Sequence, residues 1–92
     1  MVELKDAELA ELRKKIDIVD NQILELVEDR LELADKVAQV KKKKSMPLRD
    51  LAREEEVIRN KCEKTDLPEE FVRKLYRLII DEAVKLEEKK IK

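Results

Sequence analysis

From Leu9 onward, apolar residues recur at Leu9, Leu12, Ile16, Val19, Ile23 and Leu26, and again at Leu33, Val37 and Val40. This alternation of three- and four-residue steps is the seam of an amphipathic helix, and it never resets. It predicts one helix from about Asp6 to about Lys43, roughly 57 Å long at the α-helical rise. A compact domain of this chain length has a radius of gyration of only about 12 Å, so such a helix would project well beyond a monomeric globule. Its bare apolar end must then meet another chain.

The stretch Ser45-Met46-Pro47 ends this helix, because Pro47 cannot continue the hydrogen bonding and biases Met46 away from helical geometry. Asp50 then offers an N-cap for a short second helix carrying Leu51, Ile58 and Cys62. Asp66, with Glu69 three residues on, has the spacing of a capping box, and Pro68 falls in the first turn of a third helix. That helix is expected to bury Phe71, Val72, Leu75, Leu78, Ile79 and Leu86. The fold class predicted is all-α: three helices per chain with a very long first helix, two chains intertwining as a six-helix homodimer.

Composition reinforces this reading. The chain has 92 residues, enough for a single domain over 1–92 but only a thin monomeric core. Glycine is absent, and Pro47 and Pro68 are the only prolines, so long uninterrupted helices are favoured. Lys and Arg number 22 against 23 Asp and Glu, and this near-balance of interspersed signs argues against a general nucleic-acid or membrane-surface binder. The Lys/Glu-rich, Gly-free composition suits a thermophile or an engineered sequence. Cys62 is the only cysteine, which fits a reduced intracellular protein, and the charged N-terminal stretch has no signal-like apolar core, so a cytoplasmic location is expected. With no histidine, Ser/His and Cys/His nucleophile pairs and nitrogen-ligated zinc are excluded, and no Gly-rich phosphate loop exists. No cofactor and no metal are expected.

Candidate chemistry lies in charges placed where apolar residues belong. Arg30 occupies the seam between Leu26 and Leu33. Either its stem packs there while the head reaches outward or to a carboxylate, or its guanidinium faces a polar cavity and can grip a carboxylate through two hydrogen bonds. Arg13 and Lys41 share a heptad phase beside the seam but lie about 42 Å apart along one helix, too far for one small ligand. Arg30 and Lys41 are about 16 Å apart on nearly one face, within convergence range of two long side chains. Arg13 could join them only from an antiparallel partner helix. In the second helix Asp50, Arg53 and Glu54 fall within one turn, with Glu54 between Leu51 and Ile58; they read either as a cap with surface ion pairs or as ligand contacts. In the third, Tyr76, Ile80, Ala83 and Glu87 share a face, ending an apolar strip in a carboxyl. Lys42, Lys43 and Lys44 read as a solvated helix end favoured by the dipole, and Cys62 as a small helix-face residue rather than a nucleophile.

The segment LRKKIDIVDNQILELVEDRLELADKV from Leu12, then Lys41, PLRDLARE from Pro47 and LIIDEAV from Leu78, together resemble the all-helical chorismate mutases over nearly the whole chain. The combined spacing of Arg13, Arg30, Lys41, Asp50, Arg53 and Glu54 is the most specific part. The resemblance implies an intertwined homodimer with two active sites shared between chains and chorismate as substrate. By position, Arg13 is similar to an arginine supplied by the neighbouring chain and Arg30 to the in-chain arginine, both holding carboxylates. Lys41 resembles a lysine contacting a carboxylate and the ether oxygen. Asp50 and Glu54 match positions at the substrate hydroxyl, and Arg53 a site-lining arginine. Ala83 stands where some members have Ser or Asn, and Glu87 where many have a Gln facing the ether oxygen.

The implied reaction, a concerted [3,3] rearrangement, needs no nucleophile, metal or proton transfer, in keeping with the residue inventory. Holding the flexible dianion in its compact conformer and stabilising charge growing on the ether oxygen would suffice. Two other readings remain open: a related isochorismate pyruvate lyase with a similar cationic site, and a non-catalytic helical dimerisation module for which the seam alone is enough.

Overall fold

The computed structural model describes the backbone of residues 2–91 and the side chains of residues 6–89. Three helices follow in chain order, α1 (Val2–Lys43), α2 (Leu51–Glu63) and α3 (Glu69–Ile91), and no strand occurs among the described residues. The all-α expectation holds, and α1 is one continuous element, as its unbroken seam requires.

The chain divides into two compact units, Met1–Arg30 and Leu31–Lys92. The first is the N-terminal part of α1 alone. Its side chains are exposed from Asp6 through Leu26, including the seam residues Leu9, Leu12, Ile16, Val19, Ile23 and Leu26. Good helix formers sustain the backbone here, and the apolar stripe along it is exposed over this whole length.

The second unit contains the end of α1 together with α2 and α3. Here the seam residues Leu33, Val37 and Val40 are exposed, while Leu31, Ala34, Asp35, Ala38 and Lys41 are half-buried. These two sets lie roughly on opposite sides of the helix. In-chain packing therefore uses the side holding Ala34 and Lys41 and leaves the seam open.

The end of α1 is closed by backbone geometry ahead of Pro47. Ser45 adopts a left-handed conformation with φ of 55°. Met46 N donates to Lys41 O at 2.8 Å and Ser45 N to Lys42 O at 3.2 Å, the paired bonds of a Schellman motif. Glycine is the usual occupant of the left-handed position; Ser45 fills it in a chain that has none.

Asp50 caps α2 as the sequence predicts, its backbone extended and its side chain accepting from Arg53 N at 3.0 Å. Ile58 is buried and Cys62 half-buried, the thiol reaching Glu69 O at 3.9 Å, but Leu51 is exposed. The expected Asp66–Glu69 capping box is replaced by a different arrangement. Leu67 N donates to the Thr65 hydroxyl at 3.2 Å, Pro68 O accepts the first helical bond from Val72 N, and the Glu69 carboxylate pairs with Arg73. Because α3 starts only after Pro68, whose carbonyl takes the first helical bond, Asp66 sits two residues too early to cap it.

The buried face of α3 also differs from expectation. It comprises Val72, Ile80, Ala83, Val84 and Glu87, whereas Phe71, Leu75, Leu78 and Leu86 are exposed and Ile79 is half-buried. The helix carries two apolar stripes roughly a third of a turn apart. Packing in the second unit selects the stripe with the smaller side chains, where backbones can approach closely; α2 lies against α3.

Candidate active site

The second unit gathers several of the candidate residues around the N-terminal end of α2. The Lys41 ammonium donates to Leu48 O at 3.1 Å, which draws the end of α1 to the residues just ahead of the α2 cap. Asp50 commits one carboxylate oxygen to that cap. Glu54, one turn on, is only 8% exposed. A buried carboxylate needs partners, and Glu54 has two arginines. Arg49 grips it through both oxygens, Nη2 to Oε1 at 2.6 Å and Nε to Oε2 at 3.1 Å. Arg77, from α3, donates to Oε1 at 2.8 Å. Asp81 joins both arginines from outside, at 3.3 Å to Arg49 and 3.4 Å to Arg77.

This arrangement fixes the charge on Glu54. The hydrogen bond from Arg49 holds its carboxyl below the usual carboxylate value; burial opposes that effect, and Arg77 adds to it. Arg49 and Arg77 are correspondingly held more firmly protonated by Glu54. Further along the same helix pair, Arg73 bonds to Glu55 at 2.8 Å and lowers its carboxyl too.

Arg53 points to solvent and pairs with Glu56 on its own helix, so this conformation does not direct it toward Glu54. Ala83 and Glu87 sit one turn apart on α3 and are both buried, which places the departing carboxyl of the family pattern inside the protein rather than at a frayed end. Glu87 has an interaction partner of its own. Arg13 and Arg30 belong to the first unit, where Arg13 is exposed and Arg30 is half-buried and engaged in a polar or electrostatic interaction. Arg49, Arg77 and Asp81 do not stand out in the sequence. The available signal is the four-residue ladder Arg73, Arg77, Asp81 on α3, which matches the consecutive acidic pair Glu54, Glu55 on α2.

Among the described residues no acidic or cysteine cluster is arranged to hold a metal ion, and no helix is long and apolar enough to cross a membrane.

The profile of the family described as chorismate mutase type II matches residues 12–88. The chain belongs to that family. Among curated proteins, this family member is 38% identical over 76 residues to the chorismate mutase of Methanocaldococcus jannaschii, covering 79% of this chain and 77% of that one. It is 36% identical over 88 residues to the bifunctional chorismate mutase/prephenate dehydratase of Aquifex aeolicus, covering 89% of this chain but only 24% of that protein. Against that bifunctional relative, the chain spans about a quarter of its length. Among solved structures, the chorismate mutase (form II) from Thermus thermophilus superposes with a TM-score of 0.83 at 30% identity, covering 88% of this chain and 94% of that one.

Proposed function

We propose that this chain is a chorismate mutase, converting chorismate to prephenate on the way to phenylalanine and tyrosine. The observation that carries the reading is the family match over residues 12–88, which encloses every candidate site residue from Arg13 to Glu87. The reaction is a [3,3] rearrangement of an allyl vinyl ether: the ether C–O bond breaks as a C–C bond forms, within one cyclic transition state. The protein contributes placement and charge.

In this mechanism Arg30 and a neighbouring chain's Arg13 hold the two carboxylates of the substrate. Lys41 supplies a cation at one carboxylate and at the ether oxygen, where negative charge grows as the C–O bond lengthens. Asp50 and Glu54 bind the hydroxyl, Arg53 turns inward to help order the carboxylates, and Ala83 and Glu87 form the wall on α3. The exposed seam of α1 and the exposed Phe71, Leu75 and Leu78 of α3 support an intertwined homodimer that supplies the missing cover and the second arginine. The lone Cys62 and the balanced charge suit a cytoplasmic enzyme that binds neither nucleic acid nor membrane.

The test is to incubate purified protein separately with chorismate and with isochorismate, following loss of the substrate absorbance and identifying the product. Prephenate from chorismate is expected. Pyruvate release from isochorismate without prephenate formation would replace this reading with the lyase, and inertness toward both would leave a dimerisation module.

A further inference from the structure

The buried Glu54 is held more tightly than a cap-adjacent carboxylate requires. Three hydrogen bonds reach it, two on Oε1 from Arg49 and Arg77 and one on Oε2 from Arg49. An ionised carboxylate offers about four lone-pair directions. Among the described residues, three are therefore occupied and one, on Oε2, is left. The two arginines come from different parts of the chain, Arg49 from the connection before α2 and Arg77 from α3, so both the torsions and the ionisation of Glu54 are restricted. Asp81 bonds the same two nitrogens, Arg49 Nη2 and Arg77 Nη1, that reach Oε1 of Glu54, which restricts both guanidinium groups in turn.

We infer that Arg49 and Arg77 are positioning residues that aim the one remaining lone pair of Glu54 at the substrate hydroxyl. This inference rests on the mutase reading and adds to it two residues that touch no part of the substrate. A free glutamate could accept the hydroxyl through either oxygen, or chelate it, in many rotamers. The braced one presents a single acceptor at a fixed place and loses little side-chain entropy on binding. Arg49 also follows Leu48 directly, so the hydrogen bond from Lys41 to Leu48 O and the fork from Arg49 to Glu54 tie the proposed ether-oxygen contact and the proposed hydroxyl contact to one short backbone stretch.

The experiment uses the full chain and two substrates: chorismate, and its analogue in which hydrogen replaces the hydroxyl. The analogue retains the allyl vinyl ether and both carboxylates, so it can rearrange without using Glu54. Arg77→Gln and Arg49→Gln are measured beside wild type and Glu54→Gln, with folding verified by circular dichroism and thermal unfolding. For chorismate, kcat/KM is expected to fall by about tenfold or more in each variant, the scale of one hydrogen bond to a charged group. For the analogue the same changes should alter kcat/KM by less than about twofold, because the contact they aim is already gone. Arg77→Gln added to Glu54→Gln should cause no further loss on chorismate. Arg77→Lys keeps the charge and should retain part of the chorismate activity; it also serves as the test if Arg77→Gln does not fold. Equal losses on both substrates would make the arginines merely structural and overturn the inference, as would undiminished chorismate activity. A wild type that rearranges neither substrate would instead overturn the mutase reading, and this inference with it.

Discussion

Lys41 and Leu48 are joined by a 3.1 Å hydrogen bond from the ammonium to the carbonyl, while the Lys41 carbonyl accepts from Met46 N. One residue thus closes the connection between α1 and α2 with both its backbone and its side chain. Lys41→Ala should cost only about 1 kcal/mol of stability, the net value of an ordinary hydrogen bond. It should cost about 3 kcal/mol or more in kcat/KM, the scale of removing one preorganised donor from a developing oxyanion. Steady-state kinetics beside denaturant unfolding separate the two, and an activity loss that merely tracks the unfolded fraction would show that Lys41 is only a tether.

A site shared between two chains, as proposed, predicts complementation. Arg13→Ala and Arg30→Ala homodimers should each be nearly inactive, whereas co-refolding them should give heterodimers with one intact site. Recovered activity approaching half of wild type per heterodimer is expected. Verified heterodimers without activity would refute contribution of Arg13 from a second chain.

Ser45 holds a left-handed conformation that costs a non-glycine residue roughly 1–2 kcal/mol, of which glycine would return part to unfolded-chain entropy. Ser45→Gly should therefore stabilise the protein by about 1 kcal/mol. Ser45→Val, with a branched side chain at positive φ, should destabilise it. Denaturant midpoints of the three proteins should rank Gly, Ser, Val.

The lowered Glu54 carboxyl gives a pH dependence whose sign follows from linkage. In the unfolded chain it titrates near its ordinary value of 4.5, and in the folded protein below that. Its contribution is thus fully present above the ordinary value and is lost as pH falls through the lowered one. Stability should decline on the acid side, and Glu54→Gln should make that limb shallower while lowering the plateau at neutral pH. Unfolding curves across the acid range measure both, and parallel acid limbs in the two proteins would count against the assignment.

Glu87 is buried, at the position where the resemblance to the family implies an amide. Ionised, it cannot donate to the ether oxygen and would repel the charge growing there; protonated, it can donate. If Glu87 faces the ether oxygen, Glu87→Gln should change the pH profile of turnover and raise activity at neutral pH, because an amide donates at every pH. Superimposable profiles of kcat against pH would remove Glu87 from contact with the ether oxygen.

Much of this architecture was legible because helices advertise themselves through spacing. The α1 seam and the Asp50 cap follow from local rules, and both stand in the structure. The face that α3 buries did not follow, because that helix has two apolar stripes and only three-dimensional packing chooses Ile80 and Ala83 over Leu75 and Leu78. The start of α3 was misplaced because Asp66 and Glu69 have capping-box spacing, yet Pro68 and the Thr65 turn set the register. Glu54 was visible as a candidate, but its partners were not: Arg49 lies five residues before it and Arg77 on another helix, and no periodicity links them.

The connection between α2 and α3 has a kinetic consequence. These helices are adjacent in the chain, joined by residues 64–68, and lie against each other, so forming the pair closes only a short loop and should be fast and independent of protein concentration. The described residues of the α1 seam, by contrast, are exposed. In the proposed dimer its burial must await an encounter between molecules, so the order of assembly is built into the topology: a helical hairpin gathers first in each chain, and the long helix finds its place only when two chains collide.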